Sequence, residues 1–327
     1  MICEFALTPQ IFDPSAHPDV SVWKARIQRL VGDMLPRTGH QPVCVSDLYD
    51  GSWQSSASQI TSLCDEAVRG DLKKLFMRVA DLCVTRDAEG DWPDSEDQWA
   101  AEALISSQKR FRINRIWTSA DCFSRMGDPQ LTSVADVEVD SCWNEVRPSK
   151  MIGMSIPAQV KALEPIAFHS TWLGFVSPYI YGTSSDDEMT LALQLLHSAV
   201  GYQQNRVKPR PVLLDIHTEA PVHVQNVIAN LQPRLPAASP AFQMRMFFWQ
   251  FEMKDRFLMA GEADDRGHAM KQQRLRWIVA PNHVARDYNN HKGLKDTPFQ
   301  LLPRFEITKV FNDYYGAPPP IPIERLR

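Results

Sequence analysis

Residues 172–180 read Trp-Leu-Gly-Phe-Val-Ser-Pro-Tyr-Ile. The first five positions show no alternation of polar and apolar side chains, the mark of a strand covered on both faces, and Pro178, which has no amide hydrogen to donate, limits its length. Upstream, residues 156–163 predict a short helix, entered at Pro157 in its first turn and stopped before Pro165. Downstream, residues 188–199 predict a helix, and residues 212–216 (VLLDI) a second buried strand. Residues 223–231 predict a helix with Val224, Val227, Ile228 and Leu231 on one face. Residues 244–249 (MRMFFW), 257–259 and 275–280 (LRWIVA) are strand-like. Residues 303–315 close the pattern with a final helix, and residues 317–322 form a proline-rich extended tail. Strand and helix alternate from 156 to 231, so this half is expected to be an α/β layer on a mostly parallel sheet.

The first half reads differently. Trp23, Ile27, Leu30, Val31 and Leu35 recur at helical spacing until Pro36 ends the run, and residues 43–45 suit a strand or a loop. Helical spacing returns over 58–83 through Leu63, Val68, Leu72, Leu75, Phe76, Val79 and Leu82. An acidic loop over 86–96 and a helix over 97–116 follow, and residues 118–149 read as connecting structure. The expected organisation is a mainly helical N-terminal region, 1–150, followed by an α/β domain, 151–327.

Composition sets bounds. The 327 residues are 44% hydrophobic and 23% charged, enough apolar material for a buried core and unlike a disordered chain. No apolar run approaches the roughly 20 residues of a membrane span, and residues 1–10 lack a basic stretch followed by an apolar one, so neither a membrane anchor nor a secretory leader is expected. Six cysteines fall within the first 142 residues with no CxxC pair, which fits reduced thiols in a cytoplasmic protein. Residues 1–150 carry 16 Lys+Arg against 23 Asp+Glu, whereas residues 151–327 carry 19 against 16. The acidic half repels polyanions and the mildly basic half tolerates them. GxGxxG, GxxxxGK[ST] and GxSxG are all absent, which removes the usual support for dinucleotide, P-loop and α/β-hydrolase readings. The nine tryptophans are spread along the chain, as packing residues are, and His169 and His217 beside buried strands read as core histidines.

Two short stretches, Val176-Ser177-Pro178-Tyr179-Ile180 and Lys254-Asp255-Arg256-Phe257-Leu258, together resemble the phospholipase D-like proteins of the bacterial phage-defence type. Those proteins carry a VDPYI strand early in the domain and a later HDR(F/Y)L strand start, in place of the usual HxK. The resemblance covers residues 156–300. It implies a phospholipase D-like fold and action on phosphodiesters, with a histidine nucleophile forming a phospho-enzyme intermediate, no metal or other cofactor, and a homodimer that unites two half-motifs. It also implies a nucleic-acid ligand and a protein partner in a prokaryotic antiviral complex. Lys254 stands where that histidine should be. An ammonium is a point charge for phosphate rather than a ready nucleophile, and Arg256 adds a fork of donors. Lys254, Arg256 and Lys271 are therefore the expected phosphate-binding residues, and His268 the remaining acid–base candidate. The expected function is a divergent or inactive nuclease subunit.

Two alternatives use neighbouring residues. Glu252, Lys254 and Asp215 match the carboxylates and lysine of a Mg²⁺-dependent PD-(D/E)xK nuclease, because strand alternation puts Glu252 and Lys254 on one face. His283, Asp287 and His291 would line one helical face as metal ligands, but Asn289, Asn290 and Gly293 signal a helix end there. A third reading is a non-catalytic scaffold or adaptor whose acidic half holds a protein partner.

Overall fold

The computed structural model describes residues 2–17, 19–35, 39–49, 51–153, 155–178, 180, 187–220, 224–234, 240–250, 252–253, 256–263, 275–281, 296–316 and 324–325. The chain divides into two units, Met1–Arg147 and Pro148–Arg327.

The N-terminal unit is more than helices. Its strands are β1 (Cys3–Leu7), β2 (Val43–Leu48), β3 (Cys83–Arg86), β4 (Arg115–Thr118) and β5 (Leu131–Ser133), forming a parallel sheet in the order β3-β2-β1-β4-β5. Its helices are α1 (Val20–Met34), α2 (Ser52–Leu63), α3 (Glu66–Ala80), α4 (Glu96–Lys109) and α5 (Ala120–Met126). The apolar spacing in α1 is used as expected: Trp23, Ile27, Leu30, Val31 and Met34 are buried, and the Asp19 carboxylate caps the amides of Ser21 and Val22. Gly127, at φ 63°, ends α5 in the left-handed conformation that glycine tolerates. The helical reading of this half thus needs the addition of a sheet, and residues 118–149, read as connections, hold α5 and β5. Strands of three to six residues buried on both faces carry no period to detect. The sheet also buries a charge pair: Arg86 Nη1 donates to Glu4 Oε1 at 2.8 Å, and Ser46 Oγ donates to the same oxygen at 2.6 Å.

The C-terminal unit contains β6 (Ser149–Gly153), α6 (Ile156–Phe168), β7 (Trp172–Val176), α7 (Asp187–Gln204), β8 (Val212–Glu219), α8 (Val224–Leu231), β9 (Phe242–Trp249), β10 (Phe257–Gly261), β11 (Leu275–Pro281), β12 (Asp296–Leu301), α9 (Arg304–Phe311) and β13 (Glu324–Arg325). Its eight strands run β13-β9-β8-β7-β10-β11-β12-β6. Among the described residues of this unit, only β7–β8 and β8–β9 pair in parallel; the flanking strands are antiparallel, so the sheet is mixed rather than mostly parallel. The reason lies in the connections. Helices α7 and α8 supply the crossovers that parallel pairing needs, and no helix is described between β9 and β12. Helix α6 runs through Pro165 instead of stopping before it. The proline sits in the last turn, and burial of Ile166, Ala167 and Phe168 favours that turn despite the missing amide donor.

The packing expectation for tryptophan holds. Trp23, Trp53, Trp99, Trp117, Trp172 and Trp277 are among the largest fully buried side chains. All six cysteines are buried free thiols. Among the described residues, no helix is long and apolar enough to cross a membrane.

Candidate functional site

Strands β7, β8 and β9 run side by side, and their carboxyl ends form one edge, the place where open α/β sheets hold ligands. The connections leaving that edge are tied to the end of β8. Ser177 N donates to His217 O at 3.0 Å, Ile180 N to Thr218 Oγ1 at 3.3 Å, and Met253 N to Glu219 Oε1 at 2.6 Å. Strand β10 pairs antiparallel with β7, Phe257 opposite Val176. Arg256 therefore stands beyond the carboxyl end of β7, beside Ser177 and Pro178. Of the two stretches quoted from the sequence, Val176 and Phe257 thus pair on adjacent strands.

Arg256 is 29% exposed and anchored rather than splayed into solvent: its Nε lies 2.9 Å from Oε1 of Glu188. Glu188 belongs to the first turn of α7, where a carboxylate meets the positive end of the helix dipole. Sequence reasoning placed Glu188 on a helix but gave it no role. Lys254, His268 and Lys271 lie outside the described residues, as do Tyr179, Asp255, His283, Asp287 and His291.

One face of the same three strands carries a second polar group. Asp215 and His217, two apart on β8, share a face and are fully buried. Arg245 of β9 grips Asp215 through two bonds, Nε to Oδ1 and Nη2 to Oδ2, each 2.7 Å. Trp172 Nε1 also donates to Oδ2, at 2.9 Å, and the Tyr315 hydroxyl donates to it at 3.1 Å. Trp249 Nε1, which can only donate, lies 3.1 Å from His217 Nδ1. Nδ1 is thus an acceptor, and the proton of the neutral ring sits on Nε2, facing the Tyr315 oxygen at 2.8 Å. Burial, reinforced by Arg245, lowers the His217 pKa to about 3 and keeps the ring neutral. Burial and the neighbouring Asp215 carboxylate push the Tyr315 hydroxyl well above its ordinary range.

This network corrects the PD-(D/E)xK assignment of Asp215. Both its oxygens are held by a guanidinium, an indole and a phenol, so the residue serves as the counter-ion of Arg245 rather than as a metal carboxylate, and Glu252 is exposed. The reading of His217 as a satisfied core histidine holds. The sequence signal for the network was Asp and His at i and i+2 inside an otherwise apolar strand. The partners Arg245 and Tyr315 had no such signal.

The fold is therefore α/β throughout: a parallel five-stranded sheet in one unit and a mixed sheet with three adjacent parallel strands in the other. No family model matches the chain, and no curated protein does. A solved structure of TrmBL2, an archaeal chromatin protein with a novel mode of DNA binding, aligns with 76% of this chain and 69% of its own, at 9% identity and a TM-score of 0.26. A likeness of that size carries no argument about either fold or function.

Proposed function

We propose that the C-terminal unit is a phospholipase D-like module that binds the phosphodiester backbone of a nucleic acid, with Lys254, Arg256 and Lys271 as its cations. The supporting observation is the antiparallel pairing of β10 with β7, which sets Arg256 beside Ser177 at the carboxyl edge of the parallel strands. With lysine in place of the nucleophile, the module binds and has lost the usual route to cleavage; His268 is the residue that would serve any divergent hydrolysis. As a half-motif module it would pair with a second copy, and its place would be a nuclease-derived subunit of a prokaryotic antiviral complex.

Gel-shift and cleavage assays with single- and double-stranded DNA and RNA, with and without EDTA, test the reading. Salt-sensitive binding without cleavage is expected. Lys254→Ala with Arg256→Ala should weaken binding at least tenfold, in line with loss of two phosphate contacts. Binding unchanged in that double variant would overturn the assignment. A second reading, a protein-binding adaptor, draws on the same ion pair: Arg256 is satisfied by Glu188 without any ligand. No nucleic-acid binding under any condition would favour it.

A further inference from the structure

We infer that Glu188 is the resting occupant of the anion position at Arg256, and that a phosphodiester binds by displacing its carboxylate; this rests on the function proposed above. Two observations carry it. First, the Arg256 guanidinium, at the carboxyl edge of β7, is already paired with an anion, Glu188 Oε1, at 2.9 Å. Second, that anion comes from the first turn of α7, the helix following β7, alongside Asp187. The dipole of such a turn favours a bound phosphate as readily as a carboxylate. The two side chains are 29% and 25% exposed, so solvent reaches the pair and an incoming anion can compete for it.

Three consequences separate this role from a merely structural ion pair. Glu188 acts against ligand through Arg256 rather than by touching it. It discriminates between anions, because only a ligand that brings additional contacts, as a polyanionic strand does, offsets loss of the pair. Its effect weakens as salt screens both interactions.

The test measures the Kd of the full-length protein for a fluorescently labelled single-stranded DNA oligonucleotide, over a series of salt concentrations. Glu188→Gln removes the competing charge while keeping its shape. Because a partly exposed ion pair is worth up to about 1 kcal/mol, roughly fivefold tighter binding at low salt is expected. Glu188→Asp, which keeps the charge, should stay closer to wild type. In the Arg256→Ala background, Glu188→Gln should give no gain, since the guanidinium for which carboxylate and ligand compete is gone. Wild-type binding with no gain in Glu188→Gln would overturn the inference and leave the proposed function standing. Absence of binding in wild type and variant alike would overturn both. Circular dichroism checks the fold, and Glu188→Ser supplies the same loss of charge should the glutamine variant fail to fold.

Discussion

His217 is an imidazole that has given up its proton-binding capacity to the fold. Its ring lies stacked on Phe247 at 4.4 Å, with Trp249, Tyr314 and Tyr315 around it, and a positive charge there would face Arg245. The unfolded chain binds a proton at this residue below pH 6.5, whereas the folded chain resists until about pH 3. Between those values the unfolded state binds more protons, so stability falls as pH falls, by at most about 1.4 kcal/mol per pH unit for one group. Above pH 6.5 both states are neutral and the slope from this residue vanishes. Urea unfolding of wild type and His217→Gln, followed by tryptophan fluorescence in the upper part of this window before carboxylates protonate near pH 4, checks this. The wild type should lose stability on acidification more steeply than the variant; parallel slopes would show that the ring titrates freely.

At the scale of the element, β7 is the strand on which the C-terminal unit is organised, and its central residue has to be glycine. A Cβ on Gly174 would lie 2.9 Å from the Trp172 ring and 3.2 Å from Met259 Cε. The bare backbone lets the indole lie across the strand and place its Nε1 on Asp215, the residue registered opposite Gly174 on β8. Gly174→Ala should therefore cost about 1–3 kcal/mol by overpacking, visible as a lowered urea midpoint and a shifted tryptophan emission. A variant as stable as wild type would mean that the ring can move aside freely. The apolar run 172–176 made this strand legible in the sequence, as it did β8, β9 and β11. The direction of β10 was not legible, because Phe257, Leu258 and Met259 look the same to a periodicity argument whichever way the strand runs. Nor was the end of α6, where burial of three apolar residues outweighed a proline rule.

For the molecule as a whole, the N-terminal unit holds its own continuous core, in which Phe5, Trp117 and Trp143 pack edge to face and stacked, with Trp117 and Trp143 at 5.6 Å. Residues 1–147 expressed alone are expected to melt cooperatively and to give a near-ultraviolet circular dichroism signal from those rings; a featureless, non-cooperative melt would count against a self-sufficient unit. The sequence by itself determined the buried strands of the C-terminal half, the apolar faces of α1, α3 and α8 and the closing helix, because each is written in local periodicity. Tertiary structure alone decided the parallel sheet of the first half, the mixed sheet of the second and the fate of Asp215. That carboxylate meets Arg245 thirty residues away and Tyr315 a hundred away. A side chain's face is fixed by its neighbours in sequence, but its partner is fixed by which strands come to lie side by side.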